Sequence, residues 1–178
     1  MLHRWLCFAI LAAPVLFADE VALIRVGENW RYLPGTSEAL VRSNTWPQIA
    51  FDDSQWLTGA SGFSGGSGAE ATSVANMPGN FLSVYFRKTF LVTQPEQIKW
   101  LTLRLDYADG FVAFLNGREI ARRNIEGPPG SFVPFNAAAT NSHALAQTEE
   151  FDVSAAASLL TVGTNVLAIQ AHNASLFD

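Results

Sequence analysis

The sequence predicts an all-β domain built as a two-sheet antiparallel sandwich or a barrel, and three observations carry that expectation. Segments with apolar residues at every second position outnumber helical ones by about seven to one. Turn dipeptides, Asp109-Gly110 and Asn116-Gly117 among them, separate those segments. The composition, with 13 glycines, 8 prolines, 13 phenylalanines and 5 tryptophans in 178 residues, suits short strands joined by turns better than long helices. An apolar share of 49% is enough for one core in a chain of this length.

The first eighteen residues stand apart from that pattern. His3 and Arg4 make a short basic start, an apolar stretch follows, and Leu16, Phe17 and Ala18 close it before Asp19, the form of a secretory signal peptide. Leu16 is larger than the residue such a cleavage site prefers. The alternative, an uncleaved membrane anchor, needs about 20 apolar residues, more than the stretch from Trp5 to Ala18 offers. The expected organisation is a signal peptide at 1–18 and one domain at 19–178, secreted, periplasmic or on the cell surface, with no transmembrane segment in the mature chain. Removing 1–18 takes away Arg4 and the sole cysteine, Cys7, leaving ten basic against sixteen acidic side chains and a formal charge of −6. No disulfide is then possible, so packing must hold the domain, with or without a metal. The acidic balance and the lack of any basic run argue against nucleic acid as a partner.

Taken in order, residues 21–34 carry short β-type patches, one or two edge strands with a turn at Gly27 and Asn29 and a stop at Pro34-Gly35. From 36 to 79 no periodicity persists. A plain connection of that length is uncommon, so its large aromatic residues are expected to pin it to the domain surface, with a short helical turn around 54–57. A strong strand begins at Phe81, with Val84, Phe86, Phe90 and Val92 on one face and Lys88 as the exception, and Pro95 ends it. Leu101, Leu103 and Leu105 alternate with Thr102, Arg104 and Asp106, which predicts a strand with one face on the core and one in water; Trp100 falls on the polar face. Asp109-Gly110 leads into 111–115, and Asn116-Gly117, the favoured type I′ hairpin signal, leads into 118–122. Residues 124–148 are irregular. A strand at 149–153 precedes Ser154, placed to cap a single helical turn through Leu160, and 163–171 is a further strand with Leu167, Ile169 and Ala171 facing one way.

Most catalytic patterns are missing. There is no phosphate-binding GxxxxGK[ST] and no strand-to-helix GxGxxG. Gly62, Ser64 and Gly66 match the letters of a GxSxG nucleophile elbow, but a poor strand precedes them and an unconvincing helix follows, so a serine esterase is a minor alternative to a tightly turned loop. The mature chain has two histidines, His143 and His172, and no HExxH or cysteine pair, so zinc lacks its usual ligands. Asp52, Asp106 and Asp109 offer hard oxygens that, with loop carbonyls, suit a structural calcium ion; turn capping is the competing role. Trp30, Trp46, Trp56, Trp100 and Tyr107 carry the best binding argument. An exposed indole plane beside amide and carboxylate groups stacks on a ligand with both apolar and polar faces, whereas the structural role of such residues is to close the ends of a sandwich.

Asn29 and Trp30, the Asp52-Asp53-Ser54 run with Trp56, Tyr85 to Phe90 around Arg87, Leu103 to Gly110, Phe114 with Asn116-Gly117, and Gly163 to Asn173 together resemble a known family. They look like the galactose-binding-like jelly-roll modules of large exported bacterial proteins, similar to the sugar-binding domain that precedes glycoside hydrolases. The resemblance covers about residues 25 to 173. It implies a jelly-roll sandwich in which Asp52, Asp53, Ser54, Trp56, Asp109-Gly110 and Asn116-Gly117 serve chiefly as turns, an aromatic plug and a loop-presenting strand. Two departures stand out: such modules continue past His172-Asn173 into a loop and one more strand, and they sit beside a catalytic or anchoring domain. The expectation is a sandwich lacking its last strand, truncated from a longer protein with adjacent domains.

The function expected is that of a non-catalytic module that binds or positions carbohydrate or a cell-surface polymer, with Trp30, Trp56, Trp100, Tyr107 and Asn116 as the ligand-binding set. The alternative is a structural or protein-interaction module without a small ligand. Burial of the aromatic residues would remove the physical support for stacking.

Overall fold

The computed structural model describes residues 3–5, 7–12, 20–37, 44–65, 70–144 and 148–177. In chain order their strands are β1 (His3–Trp5), β2 (Cys7–Ala12), β3 (Val21–Ile24), β4 (Asn29–Pro34), β5 (Leu57–Ala60), β6 (Phe63–Gly65) and β7 (Thr72–Val74), then β8 (Ser83–Val92), β9 (Thr102–Asp106), β10 (Gly110–Leu115), β11 (Arg118–Arg123), β12 (Glu149–Asp152) and β13 (Gly163–His172). Two 3-10 turns, Pro95–Gln97 and Ser154–Leu159, complete the regular structure. No helix among the described residues is long and apolar enough to cross a membrane.

The strands form an all-β sandwich. A six-stranded sheet runs β11-β10-β13-β8-β4-β5 and a four-stranded sheet runs β12-β9-β2-β3, both antiparallel, while β1, β6 and β7 make a small third sheet. The main core joins the two larger sheets. Leu103 and Leu105 of β9, Ile24 of β3 and Phe151 of β12 meet Trp30 of β4, Phe86 of β8, Phe111 of β10 and Ile169 of β13. The period-two reading of β9 holds: Leu101, Leu103 and Leu105 are fully buried while the residues between the strand's leucines are only partly covered. Full burial of each such side chain contributes about 1.5–3 kcal/mol.

The Asn116-Gly117 hairpin is present as read. Both residues have positive φ, 51° and 88°, the signature of a type I′ turn, and Leu115 pairs directly with Arg118. Gly110 is required for a different reason: a Cβ there would lie 2.9 Å from Ala139 Cβ and 3.0 Å from the Arg123 carbonyl oxygen.

Two readings need correction. Of the strands in 21–34, β3 is an edge strand as expected, but β4 lies between β5 and β8, because that sheet edge is supplied by part of the 36–79 segment, which contains β5, β6 and β7. Ser154 does not cap the turn that follows it; its hydroxyl accepts from the Leu101 N–H at 3.0 Å, tying that turn to the start of β9. Irregular chain also covers the outer face of β13, which is buried from Asn165 to His172, and that of β8 from Ser83 to Arg87, whereas Thr89 and Leu91 of β8 stay exposed. Cys7–Ala12, inside the segment read as a leader, lies as a strand between β9 and β3.

Two-sided burial traps a histidine. His172 is fully buried; its Nδ1 donates to the Ala137 carbonyl at 2.7 Å, and its Nε2 has no partner. Burial pushes the imidazole down to about 4, and Arg122 adds to that, against the opposing pull of the Ala137 carbonyl. In the unfolded chain a histidine titrates near 6.5. Between about pH 6.5 and 4 the unfolded state therefore binds a proton that the folded state refuses. This contribution is complete above pH 6.5 and falls as the pH drops towards 4, at up to about 1.4 kcal/mol per pH unit. Urea unfolding followed from pH 7 to 4 is expected to show this slope. A His172→Asn variant, which keeps a donor for Ala137, is expected to be less steep; an unchanged slope would count against the assignment.

Candidate functional site

Arg87 sits on the outer face of β8 and is 2% exposed. A guanidinium there needs acceptors for its N–H groups. The loop of residues 44–56 supplies four. Nε donates to Asp53 Oδ2 at 2.7 Å, Nη1 to the carbonyls of Trp46 and Gln48, the latter at 3.1 Å, and Nη2 to the Phe51 carbonyl at 3.4 Å. The guanidinium carbon also lies 5.2 Å from the centre of the Phe51 ring. With the loop gathered in this way, its aromatic residues close over the sheet. Trp46 packs edge-on against Tyr85 at 5.0 Å and Phe114 at 5.5 Å, and stacks with Trp56 at 6.3 Å. These residues form a second core on the outer side of the sheet, so the aromatic residues do pin the irregular segment.

Beside this loop the same sheet carries a groove of about 370 Å³, lined by Arg31, Asp53, Thr58, Arg87 and Lys88 among others. That size falls in the range of about 300–1,000 Å³ typical of small-ligand sites. Asp53 joins floor and wall: while Oδ2 accepts from Arg87, Oδ1 lies 4.0 Å from Arg31 Nε. Arg31, whose side chain is 43% exposed, donates through Nη1 to the Trp56 carbonyl at 3.2 Å and to Thr58 Oγ1 at 2.8 Å. Lys88 Nζ pairs with Glu28 Oε2 at 2.7 Å and donates to the Asn29 carbonyl at 3.0 Å. Donors and one carboxylate thus share an open polar cleft.

The residues expected to bind a ligand mostly do something else. Trp30, Trp56 and Tyr107 are interior, at 1%, 7% and 2% exposure, because the covering loops and the two-sheet core enclose them; only Trp100, at 53%, presents its ring to solvent. Asn116 is a clamp. Its Nδ2 donates to the Leu159 carbonyl and to Asn165 Oδ1, and its Oδ1 accepts from the Val166 N–H at 2.8 Å. The three aspartates expected to hold calcium do not converge, and among the described residues no group of three or more His, Cys, Asp or Glu could hold a metal ion. Asp52 accepts from the Ser54 N–H, a turn contact that keeps its carboxyl below the usual range. Asp109, buried and at φ 56°, accepts from the N–H groups of His143 and Ala174, at 2.9 and 2.7 Å. Asp106 lies half-buried on β9. Ser64 is buried in β6 with its hydroxyl unpartnered, and neither His143 nor His172 bonds to it.

Sequence reasoning missed a cluster at the end of β9. Tyr107 O–H donates to Glu149 Oε1 at 3.0 Å and its ring stacks on His143 at 4.2 Å. The His143 nitrogens face the Tyr107 carbonyl at 3.0 Å and Glu149 Oε1 at 3.1 Å. Burial, followed by the bond to Glu149 and that carboxylate's charge, pushes the Tyr107 phenol up to about 12, so it stays a neutral donor. Three separate parts of the chain meet here, so no local spacing announces it.

No family model matches the chain, and no curated protein matches it. Solved structures do. The chain is similar to a β-glucuronidase of an uncultured Clostridium species, at 14% identity and a TM-score of 0.45, over 96% of this chain and 22% of that one. It is similar to a Bifidobacterium dentium β-glucuronidase complexed with coumarin-3-O-glucuronide, at 14% and 0.45, over 96% and 20%, and to a Ruminococcus gnavus β-glucuronidase at 11% and 0.45, over 96% and 22%. The chain spans about a fifth of the length of these enzymes.

Two contrasts test the placement. Asp53→Ala strands the buried Arg87 charge and is expected to lose about 3 kcal/mol in urea unfolding, whereas the adjacent Asp52→Ala should leave the midpoint nearly unchanged. Equal effects would mean that Arg87 is satisfied without Asp53. Trp30→Ala is expected to destabilise by about 3–5 kcal/mol and Trp100→Ala by less than about 0.5 kcal/mol.

Proposed function

We propose that the chain is a non-catalytic, exported β-sandwich module, freed of residues 1–18, that holds a carbohydrate-like ligand in the outer-face groove on behalf of a larger protein. The observation that carries this reading is the polar lining of the groove. Asp53 accepts, Arg31 and Lys88 donate, and Thr58 can do either, the mixture that suits neighbouring hydroxyl groups on a sugar. Recognition then works by polar contact rather than by stacking, since Trp30 and Trp56 are interior and Trp100 precedes β9, in the opposite sheet.

A second reading is supported by the burial of Trp30, Trp46, Trp56 and Tyr107: a structural or protein-interaction spacer that takes no small ligand. A glycan array probed with the folded exported protein, with and without calcium, separates the two. Calcium-independent binding that Arg31→Ala weakens at least about tenfold, a loss of about 1.4 kcal/mol, with unchanged circular dichroism, is the expected result. A folded sample that captures no glycan leaves the spacer reading.

A further inference from the structure

The cluster at the end of β9 holds more acceptors than a neutral imidazole can serve. His143 presents Nδ1 to the Tyr107 carbonyl at 3.0 Å and Nε2 to Glu149 Oε1 at 3.1 Å. A carbonyl only accepts, so Nδ1 carries a hydrogen. In a neutral imidazole Nε2 is then bare, and its lone pair is aimed at a carboxylate oxygen, acceptor against acceptor. Tyr107 does not relieve this. Its O–H already donates to the same Oε1 at 3.0 Å, and burial, followed by that bond, pushes the phenol up to about 12. Arg123 stands on the far side of the carboxylate, with Nε 3.8 Å from Oε2. Asp109 is engaged with the main chain of His143: its Oδ1 accepts from the His143 N–H at 2.9 Å, and its own N–H donates to the His143 carbonyl at 3.2 Å. The contact between Nε2 and Oε1 therefore needs one proton more than a neutral imidazole and an ionised carboxylate bring to it.

The imidazole is also a cover. It lies flat on the Tyr107 ring, with centroids 4.2 Å and planes 7° apart, and its side chain is 27% exposed where Tyr107 is 2% exposed. Because both main-chain groups of His143 are tied to Asp109, the ring is the part that can swing. We propose that His143 and Glu149 share one proton, and that this proton operates the cover. With it, the imidazole stays on the Tyr107 ring. As the pH rises the proton passes to solvent, leaving a neutral imidazole beside a carboxylate that keeps Tyr107 and Arg123 as partners; the imidazole then swings away and opens the Tyr107 face. The cluster shares no residue with the groove, so the inference stands independently of the ligand reading.

The test follows the full chain by NMR from about pH 5.5 to 9.5, which spans the range where a histidine changes charge. Histidine and tyrosine rings are isotope-labelled, and the His143 signals are identified by their loss in His143→Gln. Cross-peaks between the His143 and Tyr107 rings are expected at the acid end and are expected to be lost at the alkaline end, while the main-chain signals of His143 and Asp109 stay in place. Glu149→Gln is the variant that separates a proton-operated cover from a fixed contact. Its amide can turn to accept from a protonated Nε2 or donate to a bare one, so its cross-peaks should persist over the whole range. Cross-peaks of the native chain that survive at the alkaline end overturn the proposal, as does their loss in Glu149→Gln at the same pH as in the native chain. Should Glu149→Gln unfold, the native titration decides: the loss of ring contact must coincide with the step in the His143 ring nitrogen shifts, and loss without that step overturns the proposal.

Discussion

The Arg87 guanidinium is almost wholly buried, on the outer face of a strand already buried on its inner face, and a charge in that position is tolerable only when it is paired and hydrogen-bonded. Asp53 and the carbonyls of Trp46, Gln48 and Phe51 meet that demand, and in doing so fix the path of a loop with no regular structure of its own. The consequences spread outward. The loop brings Trp46 and Trp56 onto Tyr85, which makes β8 a strand with two hydrophobic faces. The other oxygen of the same carboxylate faces Arg31 in the groove. Core, covering loop and candidate ligand site thus share one ion pair.

Other loops are held by the same kind of device at smaller scale. Asp109 takes the N–H groups of His143 and Ala174, and Asn116 and Asn165 tie the hairpin to the turn before β13. Glu119 and Arg122, both largely buried, hold the chain around Gly130 and Ser131 to β11. In a region of 160 residues without a cysteine, these polar clamps do for the loops what disulfides do in many exported domains.

What the sequence made legible was local. The leucines of β9 and the Asn116-Gly117 turn are decided by neighbours two residues away, and both stand as read. Gln170 and His172 look like solvent-facing partners of Ile169 and Ala171 until residues 133–137 are folded over them, an event encoded far from β13. Asp52 and Asp53 are equivalent in a string of letters; only the position of Arg87, thirty-four residues away, makes one a turn cap and the other a counter-ion. The aromatic residues were identified with two roles open, and the fold places Trp30, Trp56 and Tyr107 inside and Trp100 outside, because composition does not say whether an indole closes a core or faces solvent.

β13 pairs over its whole length with β8, from Gly163 opposite Val92 to His172 opposite Ser83, and with β10 on its other side. It is the spine of the larger sheet, and it comes after every strand it organises. Closing so long a loop carries an entropic penalty before any of these contacts forms, and folding dominated by such distant pairings is slow. Among the described strands the central one is thus made after both of its neighbours, and β8 and β10, which do not pair with each other, become one sheet only through residues 163–172.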